Sequence, residues 1–270
     1  MAIKMLAVDL DGTLLTSSKT ISAGTIKALQ EARNEGIKVV LATGRPLFGI
    51  EPYTEALGLK GADEYAILFN GAVAQNLNGD VLFSHDLDHG DFDTMVHMQR
   101  LADVNLNFET PQRFYTMDHK LSIRMSIDGA ETRNQIWIQK REDFKRDFTF
   151  AKAGYMADDP DQVERLWNRL PEWFFQSYAV VRSWPEVIEV GSLEASKGLA
   201  VSELAARLGF SGSQVMIFGD QGNDRSMFEM ADFKKVAMGN AIDEIKDMAD
   251  YVTDTNDRDG IAKALRKLVL

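Results

Sequence analysis

The chain has 270 residues, 45% of them hydrophobic, and its formal net charge at pH 7 is −11. A chain of this length exceeds the usual size of one hydrophobic core, which predicts two domains. The acidic charge argues against nucleic acid as a partner, because binding to phosphate backbones requires a basic surface. Since the sequence contains no cysteine, disulfides, thiol nucleophiles and cysteine-ligated metal centres are excluded.

The N-terminal residues differ from a signal peptide, because Lys4 and Asp9 interrupt an apolar run that is too short to cross a bilayer. The lack of cysteine is consistent with a reducing compartment. We therefore expect a cytoplasmic protein with no membrane partner, present as a monomer or a homodimer.

The first predicted element is a strand over residues 5–8, where a short apolar run ends at turn residues, as in buried parallel sheets. Asp9 and Asp11 follow this strand, and Gly12 can turn the chain sharply. Residues two apart in an extended chain lie on the same side, so the two carboxylates can serve one reaction centre. An ordinary Asp-Gly turn after a strand is the alternative interpretation.

The next elements continue an α/β alternation. Ser22 is a predicted N-cap for a helix that is closed by Gly36. The strand at residues 37–41 then runs into the hydroxyl of Thr43 and the guanidinium of Arg45. The remaining predicted elements are a helix from about Pro46, a strand at residues 66–69 that ends at Asn70, and a hairpin at residues 73–83 with its turn at residues 78–79.

The pattern changes between residues 84 and 190. Acidic and histidine-containing residues at 84–93 mark a hinge, and we expect the insertion that follows to form a second domain. Linkers at residues 84–90 and 191–196 would let this domain open for substrate and exclude water on closing. The strand candidates in the insertion are residues 106–108, 148–156, 174–182 and 187–190.

The alternation resumes with a helix that starts at Lys197. The next strand, at residues 214–218, runs into an acidic cluster that contains Asp220, Asn223 and Asp224. Asn223 and Asp224 are also typical of a turn that caps a helix, which is compatible with a role in a site. The remaining predicted elements are strands near residues 236 and 251 and a helix from about residue 260.

An acid pair, a hydroxyl, a lysine and an acid cluster suit a magnesium-bound phosphoryl group. The four segments that carry them resemble, in order and in spacing, the four motifs of the haloacid dehalogenase superfamily of phosphotransferases, over nearly the whole chain. The insertion between Thr43 and Lys197 resembles the large α/β cap of the Cof-type, sugar-phosphatase-like branch. Gln221 departs slightly from the pattern, since relatives often carry Asn there.

The resemblance implies an α/β protein with a Rossmann-like core and a mostly parallel sheet, formed by residues 1–84 and 191–270, and an inserted α+β cap at residues 85–190. It further implies a phosphatase that acts on a small phosphorylated metabolite, with a sugar phosphate as the first choice. A phosphomutase or other phosphotransferase would use the same site. A receiver-like regulatory protein accounts poorly for the Asp-x-Asp spacing and the insertion, and a silent metabolite sensor gives no reason to retain Asp11.

In this interpretation, Asp9 is the nucleophile that forms an aspartyl-phosphate, and Asp11 is the general acid and then the general base. Thr43 donates a hydrogen bond to the phosphoryl group, while Lys197 neutralises its charge and holds Asp9. A lysine in the first turn of a helix is unfavourable without an anion nearby, which favours this role for Lys197.

Magnesium prefers one or two carboxylates together with waters and a substrate oxygen. We expect Asp9 and Asp220 to bind Mg²⁺ directly and Asp224 to bind it through water. The resemblance adds the backbone carbonyl of Asp11 as a further ligand. The predicted substrate-binding residues are Gly44, Arg45, Asn70 and Asn223.

Overall fold

The computed structural model describes residues 2–270. The described residues form two compact units: one consists of residues 2–83 and 196–270, which we call the core unit, and the other is the insertion Ser84–Ala195. The insertion was expected at residues 85–190. In the structure it begins one residue earlier and ends five residues later. No helix within residues 2–270 has the length and the apolar character needed to cross a bilayer.

Within residues 2–270 the strands form an eight-stranded sheet and a six-stranded sheet. Their bounds are β1 Met5–Val8, β2 Lys38–Ala42, β3 Tyr65–Leu68, β4 Val73–Asn76, β5 Val81–Ser84, β6 Asn105–Glu109, β7 Phe114–Thr116, β8 Ile136–Ile138, β9 Lys152–Met156, β10 Tyr178–Trp184, β11 Val187–Ser192, β12 Val215–Gly219, β13 Lys234–Ala237 and β14 Tyr251–Val252.

The eight-stranded sheet has the order β14-β13-β12-β1-β2-β3-β4-β5. All pairs from β14 to β3 are parallel, and β3 pairs antiparallel with β4. Its central strands are short and almost entirely buried, as expected for a parallel sheet that is covered on both faces. The predicted α/β class with a mostly parallel sheet is confirmed.

The helices of the described residues are α1 Ala23–Asn34, α2 Glu51–Leu57, α3 His89–Gln99, α4 Ile123–Glu131, α5 Pro160–Trp167, α6 Glu172–Ser177, α7 Lys197–Arg207, α8 Arg225–Glu229, α9 Asp243–Asp247 and α10 Gly260–Leu268. The Ser22 side chain caps α1 by accepting a hydrogen bond from the Thr25 N–H. The helix predicted from Pro46 is a 3₁₀ turn, Leu47–Gly49, and α2 starts only after it. Pro52 favours this later start, because proline lacks an N–H and fits the first helical turn.

The six-stranded sheet of the insertion has the order β10-β11-β9-β6-β7-β8. One of its faces packs against α3, α5 and α6 through a cluster of buried aromatic side chains. The rings of Phe92 on α3 and Phe108 on β6 are 4.7 Å apart, within the range of favourable aromatic contacts. The insertion therefore has a hydrophobic core of its own.

Two of the strands predicted in the insertion are partly wrong. Residues 148–151 precede β9, and residues 174–177 belong to α6 instead of a strand. Phe174 is fully buried in the aromatic cluster from within a helical turn, and a short apolar run does not distinguish such a helix from a buried strand. β7 and β8 are not predicted, because three residues are too few for an alternation to be recognised.

Candidate active site

The carboxyl ends of three neighbouring strands form the base of the site. β1 lies between β2 and β12, and its last residue, Val8, is paired with Leu41 on one side and Phe218 on the other. Asp9 directly follows β1, and its N–H donates to the carbonyl of Phe218 at 3.1 Å. Thr43 follows β2 and Asp220 follows β12, so distant parts of the chain meet at one edge of the sheet.

Three acidic side chains gather at this edge. Asp9, Asp220 and Asp224 are buried, and one carboxylate oxygen from each lies within 4.8 Å of the others. The ammonium of Lys197, itself 1% exposed, donates to Asp9 Oδ1 at 2.6 Å and to Asp224 Oδ1 at 2.7 Å. Three carboxylates thus face one ammonium, and buried negative charge of this kind is costly without a further cation.

The pKa values express this excess of negative charge. Burial, followed by the charge of Asp224, raises the pKa of Asp9 to about 8 even though Lys197 opposes the shift. Burial likewise raises the pKa of Asp220 to about 6. Burial by itself lowers the pKa of Lys197. The charges of Asp224 and Asp9 outweigh this effect and raise the pKa of Lys197 above its usual value. Oxygen donors with surplus negative charge fit a hard divalent cation.

Asp224 orders the acidic loop. Its Oδ2 accepts hydrogen bonds from the N–H groups of Asp220, at 2.9 Å, and Gln221, at 3.2 Å. A Cβ at Gly219 would lie 2.7 Å from the Asp224 side chain, so glycine is needed for this close approach. The predicted helix start is a 3₁₀ turn, Gly222–Asp224, followed by α8, and Asn223 in that turn is exposed.

The loop after Asp9 is fitted closely to Asp220. Gly12 has a φ of +85°, and a Cβ there would lie 2.3 Å from Asp220 Oδ2. The hydroxyl of Thr13 donates to Asp220 Oδ1 at 2.7 Å, and Asn240 Nδ2 donates to the carbonyl of Gly12 at 2.8 Å. Sequence reasoning missed both side chains. Thr13 directly follows Asp11 and Gly12 in the sequence, and this position next to the acid pair could have indicated a role in the site. Nothing in the sequence connects Asn240 with this loop.

Asp11 is held by two cations. Arg45 donates from Nε to Oδ2 and from Nη2 to Oδ1, both at 2.8 Å, and Lys19 Nζ donates to Oδ1 at 2.7 Å. Burial raises the pKa of Asp11, but the hydrogen bonds from Arg45 and Lys19 outweigh it and lower the pKa below its usual value. Arg45, predicted to bind substrate, therefore binds the predicted general acid in this structure, and Lys19 is a contact that the sequence did not reveal.

The residues after β2 and β3 contact each other. The buried Thr43 accepts a hydrogen bond from the Arg45 N–H at 3.2 Å, and its carbonyl accepts one from the Asn70 N–H at 3.0 Å. Gly44 lies against the Asn70 amide, 3.1 Å from the position a Cβ would take. Asn70 Oδ1 is buried and has no hydrogen-bond partner within residues 2–270, which marks it as an acceptor near the site.

A left-handed turn positions Lys197. Phe69, Asn70 and Gly71 have φ values of +51°, +57° and +102°, and a Cβ at Gly71 would lie 2.3 Å from the backbone carbonyl of Ser196. The turn therefore packs directly on the start of α7, where the Ser196 hydroxyl accepts a hydrogen bond from the Leu199 N–H. This contact brings the lysine at the first position of α7 into the acidic cluster.

Comparison with known proteins agrees with this geometry. The profile of the haloacid dehalogenase-like hydrolases matches residues 6–265. The chain is 34% identical over 268 residues to a 5-amino-6-(5-phospho-D-ribitylamino)uracil phosphatase of Bacillus subtilis, covering 99% of this chain and 96% of the relative.

Solved structures show the same fold over nearly the whole chain. A haloacid dehalogenase-like hydrolase from Bacteroides thetaiotaomicron aligns with a TM-score of 0.87 and 27% identity, covering 98% of this chain and 99% of that one. A sugar phosphatase of HAD subclass IIB aligns with a TM-score of 0.77 and 25% identity, covering 98% of each chain.

The chain belongs to the haloacid dehalogenase-like hydrolases, in the Cof-type branch that the sequence suggested. Within that family it is a phosphoric monoester hydrolase.

Proposed function

We propose that this phosphatase hydrolyses a sugar phosphate or a similar small phosphorylated metabolite, with Mg²⁺ as cofactor and a phosphorylated Asp9 as intermediate. The observation that carries the proposal is the excess of buried carboxylates over ammonium groups around Asp9. A phosphoryl group adds more negative charge to this site, so the site requires a cation that the chain itself does not supply.

The donor set of this site fits Mg²⁺. Asp9 and Asp220 would bind the ion directly, the backbone carbonyl of Asp11 would add a neutral oxygen, and Asp224 would act through water. When bound, the ion neutralises the phosphoryl oxygens and the charge that develops on them. Thr13 and Lys197 hold the side chains of Asp220 and Asp9 in place, which fixes the ligands before the ion arrives.

The reaction follows from the groups around Asp9. In the first step, the Asp9 carboxylate forms a bond to phosphorus, the ester P–O bond breaks, and Asp11 gives a proton to the leaving oxygen. In the second step, Asp11 takes a proton from a water molecule that attacks phosphorus, which releases inorganic phosphate and restores Asp9. Lys197 and the Thr43 hydroxyl stabilise the phosphoryl oxygens. To carry a proton, Asp11 must break its ion pairs with Arg45 and Lys19. These ion pairs therefore belong to the resting state of the site.

The named relatives support a sugar phosphate. The Bacillus relative is named for a substrate with a phosphoribityl group, and the aligned subclass IIB structure is a sugar phosphatase. Both names describe a phosphate ester of a small organic molecule that bears several hydroxyl groups.

Phosphate release by wild type and Asp9→Asn, with and without MgCl₂, tests the proposal. Sugar phosphates, nucleotides and pyridoxal phosphate form the substrate panel. We expect Mg²⁺-dependent release of inorganic phosphate without an added acceptor, reduced at least ~10³-fold in Asp9→Asn, which loses the nucleophile. Asp147→Asn makes the same change at an exposed position and should leave turnover unchanged. Equal turnover by Asp9→Asn would exclude the covalent route, and transfer only to an added sugar phosphate would indicate a mutase.

A further inference from the structure

Two asparagines from the far end of the chain hold the loop that follows Asp11. Asn240 Nδ2 donates to the carbonyl of Gly12 at 2.8 Å, and Asn256 Nδ2 donates to the carbonyl of Leu15 at 2.7 Å. The two asparagines are also joined to each other, because the Asn256 N–H donates to Asn240 Oδ1 at 3.0 Å. We call the side chains of Asn240 and Asn256 the asparagine clasp.

The asparagine clasp joins stretches of chain that are far apart in sequence. Asn240 and Gly12 are 228 residues apart, Asn256 and Leu15 are 241 residues apart, and all four belong to the core unit. Asn240 is exposed, yet both ends of its carboxamide are hydrogen-bonded to backbone groups. A hydrogen bond at the surface competes with water and adds little net stability, so the clasp fixes local geometry more than it stabilises the fold.

Gly12 gives the loop a conformational freedom that the asparagine clasp removes. The close approach of Gly12 to Asp220 requires glycine, because a Cβ there would lie 2.3 Å from Asp220 Oδ2. Glycine also permits many backbone conformations, so without a restraint the peptide after Gly12 would be free to rotate. The hydrogen bond from Asn240 fixes the carbonyl of Gly12 and, because a peptide is planar, the orientation of the whole peptide group.

The side chain of Asp11 does not provide this restraint throughout the reaction. Its ion pairs with Arg45 and Lys19 break when Asp11 carries a proton in the proposed mechanism. The asparagine clasp consists of neutral amides and backbone carbonyls, so its hydrogen bonds do not depend on the charge of Asp11. The clasp therefore holds the backbone beside Asp11 while the carboxylate changes its partners.

We propose that Asn240 and Asn256 are positioning residues for Asp11 as the general acid. This inference rests on the proposed function, in which Asp11 protonates the leaving oxygen. Proton transfer requires the acid within hydrogen-bond distance of that oxygen, and a displacement of about 1 Å is enough to slow such a step substantially. The two asparagines act on Asp11 through the backbone of Gly12 and Leu15.

The kinetic test compares two esters whose leaving groups differ in their need for a proton. The alkyl phosphate that is hydrolysed fastest in the substrate panel releases an alkoxide, which is unstable unless protonated, whereas p-nitrophenyl phosphate releases a stable phenolate. kcat/KM includes only the steps up to release of the leaving group, so the later attack of water does not affect it. For Asn240→Ala and Asn256→Ala we expect kcat/KM for the alkyl phosphate to fall at least ~10-fold, and kcat/KM for p-nitrophenyl phosphate to change less than about twofold.

Ser17→Ala is the matched control. The Ser17 hydroxyl donates to Asp257 Oδ2 at 2.6 Å, so its loss also removes a hydrogen bond between this loop and the segment that contains Asn256. The carbonyls of Gly12 and Leu15 stay paired in this variant. We therefore expect Ser17→Ala to keep the wild-type kcat/KM for both esters.

A second measurement needs no turnover. Amide hydrogen exchange of a peptide that covers residues 10–16 should become faster in Asn240→Ala and Asn256→Ala, while the melting temperature falls by only a few degrees. The double variant Asn240→Ala/Asn256→Ala should lose little more activity on the alkyl phosphate than the more affected single variant, because either substitution opens the same clasp. Strictly additive losses would contradict the joint action of the two asparagines.

Asp11→Asn separates a failure of this inference from a failure of the proposed function. This variant should reproduce the selective loss on the alkyl phosphate, because it removes the proton itself. Equal losses on both esters in Asp11→Asn would show that Asp11 is not the general acid, which would overturn the proposed mechanism and this inference together. A selective loss in Asp11→Asn, but equal or absent losses on the two esters in the clasp variants, would overturn the positioning role alone.

Discussion

At the scale of single residues, Thr13 contributes through the residue it holds. Its hydroxyl donates to one oxygen of Asp220, and that carboxylate is otherwise raised in pKa by its burial. A hydrogen bond of this kind fixes the orientation of a metal-binding carboxylate, and loss of such a contact typically lowers metal affinity about 10- to 100-fold. Thr13 is thus a positioning residue for the proposed Mg²⁺ site.

We predict that Thr13→Val raises the Mg²⁺ concentration needed for half-maximal activity about tenfold or more. Valine keeps the shape of threonine but removes the donor to Asp220. Activity measured against MgCl₂ concentration checks this. Thr16→Val makes the same change in the same loop and is the matched control. Among the described contacts, the Thr16 hydroxyl bonds only to Thr20, so this variant should behave as wild type. An unaltered Mg²⁺ dependence in Thr13→Val would show that Asp220 needs no orientation.

At the scale of elements, the turn at residues 69–71 links the end of β3 to the start of α7. Positive φ is unfavourable for Phe69 and, to a smaller extent, for Asn70, so the turn persists because its contact with α7 compensates. The contact is made by backbone atoms on both sides, which leaves no side chain able to move away.

We predict that Gly71→Ala lowers the free energy of unfolding by about 3 kcal/mol and reduces phosphatase activity, because the new methyl group displaces Ser196 and Lys197. Gly61→Ala is the matched control: Gly61 also has a positive φ, but a Cβ there meets nothing within 4 Å. The control should cost about 1 kcal/mol from backbone strain alone and keep its activity. Urea unfolding and phosphate release measure the two effects, and equal losses in both variants would contradict the contact argument.

The sheet of the insertion provides a pH prediction through Glu109. Burial raises the pKa of Glu109 to about 7 from an ordinary value of 4.5, although Lys152 opposes the shift. The native state therefore binds this proton more tightly than the unfolded chain does. The resulting stabilisation is complete below pH 4.5 and is lost as the pH rises to about 7.

We expect the free energy of unfolding of wild type, relative to Glu109→Gln, to decrease between pH 4.5 and pH 7.5. Glutamine has no proton to lose in this range, while Lys152 stays charged throughout it. Urea unfolding at the two pH values, followed by tryptophan fluorescence, gives the comparison, since all four tryptophans lie in the insertion. A difference that grows with pH would mean that the ion pair with Lys152 dominates over burial.

The sequence predicted the elements of the core better than those of the insertion. β1, β2 and β12 are apolar runs that end at polar turns, and this local pattern places Asp9, Thr43 and Asp220 at strand ends. The neighbours of those side chains depend on tertiary contacts. The ion pair of Asp11 with Lys19 and the contact of Asn240 with Gly12 have no local pattern, so periodicity and motif spacing do not reveal them.

At the scale of the whole molecule, each of the two units has its own sheet and its own hydrophobic interior. The acidic cluster and Lys197 lie entirely in the unit formed by the chain ends, whereas the tryptophans lie entirely in the insertion. A cation that binds the acidic cluster should therefore stabilise one unit directly.

We predict that Mg²⁺ raises the temperature of thermal unfolding more for the unit formed by residues 2–83 and 196–270 than for the insertion. A ligand at 100 times its dissociation constant adds about 2.7 kcal/mol to the stability of the unit that binds it. Loss of phosphatase activity on heating reports unfolding of the unit that contains the acidic cluster, and tryptophan fluorescence reports unfolding of the insertion. Chelation of Mg²⁺ with EDTA should return the unfolding temperature of the unit with the acidic cluster to its value without Mg²⁺. Equal shifts of both transitions would show that the two units unfold as one.

The position of β1 between β2 and β12 has a consequence during synthesis on the ribosome. A nascent chain that has passed β2 but not yet reached β12 carries a central strand with one open edge, and such edges promote association with other chains. The insertion, already translated with its complete sheet, has time to fold during this interval. Because Lys197 and Asp220 are also made late, a product terminated before Lys197 would contain Asp9 and Thr43 but lack these two members of the proposed site.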